Sequence, residues 1–232
     1  MSYPPQVQDI FGTVTLYRRK GDAAAQRGRE ETAREAWLAG LKKSGECFTA
    51  MDIPAAVSTA QAEAYGGDVA AVAGELLGVR GGLLRRLGRV DDALESYRTG
   101  AVWEASHHLP QTYNRMNAFK LALIVGDRTL AQLRKPLSEF RNELEERLST
   151  DERAADDAWL WADLGDVRLL LGDDAGAVSA YRDFVTRARS DSPVAALTVL
   201  NEVVEALYTH NDPGAARTAR ALDEVKTTIG AS

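Results

Sequence analysis

Three histidines, a lone cysteine and a few carboxylate pairs are the reactive side chains in this chain of 232 residues. His107 and His108 are adjacent, and helical neighbours point about 100° apart, so they make poor joint metal ligands. No cysteine or histidine partner stands at ligand spacing, and no metal site is expected. All three histidines fall at predicted helix ends, where positive charge complements the C-terminal dipole. The pairs Asp91-Asp92, Asp156-Asp157 and Asp173-Asp174 lie at or near predicted helix starts. There carboxylates answer the N-terminal dipole, and general acid–base work is not implied. Cys47 excludes an internal disulfide framework. With no helix start or histidine beside it to form a thiolate, it reads as a small buried hydrophobe. There is no phosphate loop with lysine, no Gly-x-Ser-x-Gly and no dinucleotide fingerprint. Gly66-Gly67-Asp68 and Gly81-Gly82 are too short and lack strand context. No enzymatic activity and no cofactor are expected.

The scaffold that carries these residues is helical by pattern. Hydrophobic residues at 45% allow a packed core, and a net charge of −6 argues against a generic nucleic-acid binder. No apolar run approaches the ~18–20 residues of a membrane span, and the first residues lack signal-peptide order. The cytoplasm is the expected compartment. Apolar spacing predicts helices near 5–26, 29–50, 54–65, 68–87, 90–106, 111–126, 128–148, 152–171, 174–190, 193–210 and 213–228, with no strand. Asp68, Asp91, Asp127, Asp151 and Asp173 are predicted N-caps. Over 128–148, Leu130, Leu133, Leu137, Phe140, Leu144 and Leu148 form an amphipathic stripe that Pro136 should kink or break. The stripe serves either repeat packing or a coiled-coil seam for a partner or second copy.

One pattern recurs. Trp161-x2-Leu164-Gly165, Leu171-Gly172 and Ala177-x3-Tyr181 place an aromatic and leucine on one face, a glycine for close approach, a left-handed turn glycine, and a small residue at a helix crossing. Gly81, Gly88, Ala93 and Tyr97 repeat it, as do Gly21, Gly28, Ala33 and Trp37. Weaker copies use Gly126 with Ala131 and Lys135, and Asn211 with Ala216. Trp161 and Tyr181 are expected to pack within one hairpin.

This grammar resembles the tetratricopeptide repeat family. The resemblance implies an all-α, right-handed α-solenoid of antiparallel hairpins: one divergent domain over 1–232, with the best repeats near 74–107 and 158–191 and weaker ones near 14–47, 112–148 and 193–228. It implies a groove, lined by the first helix of each hairpin, that binds a protein or peptide segment. Carried over by position, the groove-facing residues are Arg18, Arg19 and Asp22; Val79, Gly82, Arg85 and Arg86; Met116, Asn117, Lys120 and Ile124; and Ala162, Asp163, Asp166 and Leu169. The expected partner contacts among them are Arg18, Arg19, Arg85, Arg86, Asn117, Lys120, Asp163 and Asp166. Chaperone-binding members grip a terminal carboxylate with lysines and asparagines; here Asp22, Gly82 and Asp166 stand where asparagine is wanted. A shorter run, Tyr113-Asn114-Arg115-Met116-Asn117-Ala118, is similar to the TRAF-binding helical region of mitogen-activated kinase kinase kinases and its bacterial relatives. It implies a scaffold in a bacterial signalling or defence assembly, without kinase activity. The alternative class is a sensor module whose pitch answers a ligand or peptide.

Overall fold

The computed structural model describes residues 5–51, 67–188 and 192–230. Every regular element among them is an α-helix: α1 (Pro5–Ala25), α2 (Glu30–Ala50), α3 (Gly67–Arg86), α4 (Val90–Ser106), α5 (Tyr113–Ile124), α6 (Leu130–Thr150), α7 (Glu152–Ala155), α8 (Ala158–Leu171), α9 (Asp174–Arg187), α10 (Ser192–Thr209) and α11 (Ala215–Ile229). The chain is all-α, as the periodicity predicts. The helix expected over 54–65, and the side chain of Asp68, lie outside the described residues. Two compact units are distinguished, Met1–Ala118 and Phe119–Ser232, with the boundary inside α5.

In the first unit, α1 pairs with α2 and α3 with α4, and α3 also packs on both helices of the first hairpin. Its core joins Val14, Cys47, Phe48, Leu76, Leu83 and Trp103. Trp103 secures its indole by donating from Nε1 to the Ala70 carbonyl at 2.7 Å. In the second unit, α8 pairs with α9 and α10 with α11, while α6 lies along α8 and α9 along α11. Within each unit, packed helix pairs thereby cover one another's apolar stripes, which is how stacked repeats bury a core that no single hairpin holds.

The turns explain the spacing. Gly28, Gly88, Gly126 and Gly172 have φ of +67°, +74°, +73° and +88°, and Asn211 takes the same left-handed role at +54°. This conformation costs a Cβ-bearing residue energy, and asparagine bears it best after glycine. After Gly28, Gly88 and Gly172 the next helix starts two residues on, and Ala33, Ala93 and Ala177 are all fully buried at the crossings.

The two weaker copies differ. α6 starts four residues after Gly126, and α11 four after Asn211. The frame shifts by two, so Ala131 and Ala216 are exposed, contrary to expectation. Leu133 and Thr218 take the crossings instead, and Leu137 and Leu222 replace the aromatic. Thr129, and not Asp127, caps α6 through a reciprocal capping box with Gln132. Arg89, and not Asp91, is the cap residue of α4, leaving Asp91 in the first turn. Asp173 does cap α9, accepting from the Gly176 amide at 3.0 Å.

Two further expectations are corrected. The helix predicted over 152–171 is two helices, because Asp151 accepts from Arg153 N and Asp157 from Trp159 N, both at 3.0 Å. Each aspartate thereby starts a fresh helix in place of continuing the old one. Pro136 does not break α6, which runs on to Thr150. The capping box fixes the turn before it, and Leu133, Leu137, Phe140 and Leu144 hold both sides by burial.

Candidate functional site

Three hairpins share one local device. An ideal Cβ placed on Gly21, Gly81 or Gly165 would sit 2.3, 2.8 or 2.6 Å from the ring of Trp37, Tyr97 or Tyr181 respectively. Only glycine lets the second-helix aromatic lie flat on the first helix at that point. The ring's polar edge then reaches the residue after the glycine. Trp37 Nε1 donates to Asp22 Oδ1 at 3.0 Å, fifteen residues away in sequence, and the Tyr181 hydroxyl donates to Asp166 over the same separation.

Each aspartate also receives a cation. Arg86 forks onto Asp22, Nε to Oδ1 at 2.6 Å and Nη2 to Oδ2 at 3.1 Å. Lys120 pairs with Asp166. The settings differ sharply. The Asp22 and Arg86 side chains are 32% and 35% exposed, whereas Asp166 and Lys120 are 2% and 8% exposed. The first pair is open to exchange with an incoming group; the second is enclosed. Burial pushes the Tyr181 phenol well above its ordinary value, and the neighbouring Asp166 charge pushes it further.

The middle hairpin lacks the acid. Gly82 stands where Asp22 and Asp166 stand, and the buried Tyr97 hydroxyl meets the Tyr113 hydroxyl at 3.4 Å. Burial raises the Tyr97 phenol well above its usual range, Tyr113 adds to this, and the Arg85 and Arg86 charges oppose it. Both guanidiniums thus act on the space beside Gly82. Tyr113 is 48% exposed and stacks edge-on against Tyr97.

The expected contact residues divide accordingly. Arg19 is exposed, and Arg18, Arg85 and Asp163 are half-buried. Arg18 Nε is buried without a hydrogen-bond partner among the described residues. Asn117 is buried and donates from Nδ2 to the Tyr113 carbonyl of its own helix at 2.8 Å. Lys120 and Asp166 satisfy one another inside the second unit. Asn117, Lys120 and Asp166 therefore do not hold their polar heads at the surface, because each has a partner within its own unit. Trp37, Tyr97 and Tyr113 join the site without having been picked as contacts. For Trp37 and Tyr97 the signal is an aromatic fifteen residues after the position that follows the glycine; Tyr113 has no such spacing.

The histidines serve helix ends. His107 is the C-cap residue of α4, its Nδ1 2.9 Å from the Trp103 carbonyl, and His210 Nε2 lies 3.1 Å from the Ile124 carbonyl at the end of α5. Among the described residues no three histidine, cysteine, aspartate or glutamate side chains are grouped to hold a metal ion. A cavity of about 510 Å³ in the second unit is lined by Leu130, Arg134, Leu170, Gly172, Asp212 and Arg217, among others. Asp212 already accepts from the amides of Leu130 and Gly214, and Arg217 already donates to the Leu170 carbonyl. No described helix is long and apolar enough to cross a membrane. No protein-family model matches the chain, and neither does any curated protein.

Proposed function

We propose that this protein is a non-enzymatic interaction scaffold, built like a tetratricopeptide array, that takes a partner segment on the α1–α3 face of its first unit. The observation that carries the reading is the Asp22–Arg86 pair. It joins the first helices of successive hairpins, is about one-third exposed, and sits beside Arg85 and the Tyr97–Tyr113 corner. Elsewhere the same device is enclosed; here it offers both charge signs and an aromatic edge at the surface. Such a mixed face suits a segment with charges of both signs and an apolar anchor to set its register. The Tyr113–Ala118 resemblance adds a setting, a bacterial signalling or defence assembly in the cytoplasm. A chaperone tail is not the partner in this reading, since Asp22 and Gly82 occupy the places of the required asparagines.

The test is affinity capture from the native host with the wild-type chain and with Arg19→Glu/Arg85→Glu. Both substitutions leave the Asp22–Arg86 pair intact. The reading expects the same helical circular dichroism and at least tenfold less of the captured partner. Equal recovery would refute it.

A further inference from the structure

We propose that the vacant side-chain position at Gly82 is a receiving notch for an acidic side chain of the partner segment, which supplies from outside the carboxylate that Asp22 and Asp166 supply from within. The inference rests on the reading that this face takes a partner segment. Three observations carry it.

First, the notch is a position and not merely a gap. Asp22 to Trp37 and Asp166 to Tyr181 are each fifteen residues apart, and each pair is joined by a hydrogen bond from the aromatic to the acid. Gly82 stands at that same separation from Tyr97, so the hairpin presents the aromatic hydroxyl with no carboxylate beside it, and that hydroxyl meets the Tyr113 hydroxyl instead. Second, donors converge there. A Cβ built on Gly82 would lie 3.2 Å from Arg86 Nη1, 3.6 Å from the Tyr97 hydroxyl and 3.8 Å from the Tyr113 hydroxyl. The two phenols carry two protons but share one contact, so at least one O–H has no acceptor among the described residues. Arg86 uses Nε and Nη2 on Asp22 and one Nη1 proton on the Gly82 carbonyl. A guanidinium carries five N–H groups, so two are left over. Third, the walls are reachable. Tyr113 is 48% exposed and the Arg86 side chain 35%. Both end in groups that can swing, so an entering carboxylate displaces the Tyr113 phenol edge and the Arg86 guanidinium tip, while the buried Tyr97 ring stays as the floor.

The experiment uses the intact chain and backbone-amide NMR at constant ionic strength. The probes are N-acetyl-aspartate methylamide, its asparagine isostere, and N-acetylglycine as a terminal carboxylate. The aspartate probe should give saturable shifts centred on Gly82, Tyr97 and Tyr113, and the isostere none. Tyr97→Phe and Tyr113→Phe, which keep the rings, should each weaken binding about tenfold, the scale of a hydrogen bond to a charged group. Gly82→Asp should fill the notch and abolish the response. Equal response to the asparagine isostere overturns the proposal. So do non-saturating shifts spread over the surface arginines, tighter binding of N-acetylglycine than of the aspartate probe, or an aspartate response that survives Gly82→Asp. The small probe needs no partner, so the two ideas fail separately. Saturable binding with partner capture unchanged in Arg19→Glu/Arg85→Glu removes only the scaffold reading. Lost capture without aspartate binding removes only the notch.

Discussion

Replacing Lys120 by methionine isolates the cost of an enclosed charge. Lys120 and Asp166 are 7% and 1% exposed as residues, and the Tyr181 hydroxyl on the other carboxylate oxygen is wholly buried. Methionine keeps most of the volume and removes the cation, leaving the buried Asp166 carboxyl with a single neutral donor, the Tyr181 hydroxyl. Removing one partner of a buried pair typically costs about 3–5 kcal/mol. For a chain of this size each kcal/mol moves the melting temperature by about 2–4 °C, so the loss corresponds to roughly 6–20 °C. The triple variant Lys120→Met/Asp166→Leu/Tyr181→Phe removes every polar member together. It should return to within about 1 kcal/mol of wild type or exceed it, since an apolar replacement of a buried pair is often neutral or stabilising. Lys135→Met is the surface control. Its side chain is 87% exposed and 3.8 Å from Glu139, so its loss should stay within about 0.5 kcal/mol. Calorimetry and urea titration provide the readout. A Lys120→Met cost below about 1 kcal/mol would refute the reasoning, because it would mean that Asp166 is reached by water.

Close packing gives a second expectation. Gly165→Ala places a methyl 2.6 Å from the Tyr181 ring, which is fully buried and cannot swing away. Overpacking of about 1–3 kcal/mol should outweigh the roughly 1 kcal/mol of helix propensity gained, so chemical denaturation should show a net loss. Gly12→Ala in α1 meets nothing within 4 Å and should be neutral or stabilising by the same assay. Alkaline pH gives a third. The phenols of Tyr97 and Tyr181 are raised above their ordinary 10.0, and burial pushes the Cys47 thiol from 9.0 up to about 11. Groups raised by folding add stability that is complete below the unfolded value and is lost as pH climbs through the folded one. Melting temperature should thus begin to fall near pH 9 for Cys47 and pH 10 for the tyrosines. Cys47→Ala and Tyr181→Phe should each flatten the fall, and an unchanged profile in both would contradict the burial. Finally, Cys47 is fully buried, so a thiol reagent at neutral pH should label it only as fast as the first unit opens. Immediate labelling of the native chain would count against the packing of α1 on α2.

The helices were legible because their signals are local. Turn glycines at positive φ, small crossing residues and 3.6-residue apolar spacing each act within one hairpin. What could not be read was which partner each polar side chain takes. Nothing in the sequence around Lys120 says that it meets Asp166, forty-six positions on, so both look like surface charges. Asn117 likewise looks free until its bond to the Tyr113 carbonyl is known. Trp161 has partners that the repeat pattern does not name. It is half-buried, donates to the Ala155 carbonyl at 2.9 Å and lies under the Arg187 guanidinium, while Gly165 is what touches Tyr181. Trp161 thus also clamps the short helix α7, and the Tyr181 ring lies on Gly165. The frame of the weaker copies failed for a plain reason: Thr129 and Gly214 each begin a helix later than the turn residue alone predicts.

Those two longer reversals carry a consequence for how the chain tolerates change in length. Asp212 ties them together, with one carboxylate oxygen on the Leu130 amide and the other on the Gly214 amide. Extra residues are thus absorbed where the backbone doubles back, then anchored by a shared acid, and the coils beyond resume their seating undisturbed. Insertions made between Gly126 and Thr129 should be accepted, whereas the same insertions between Gly172 and Asp173 should unseat α9, because they separate Arg168 from Asp173 and from the Gly176 carbonyl that it holds. A search for kin built on a fixed period would lose step at every such reversal.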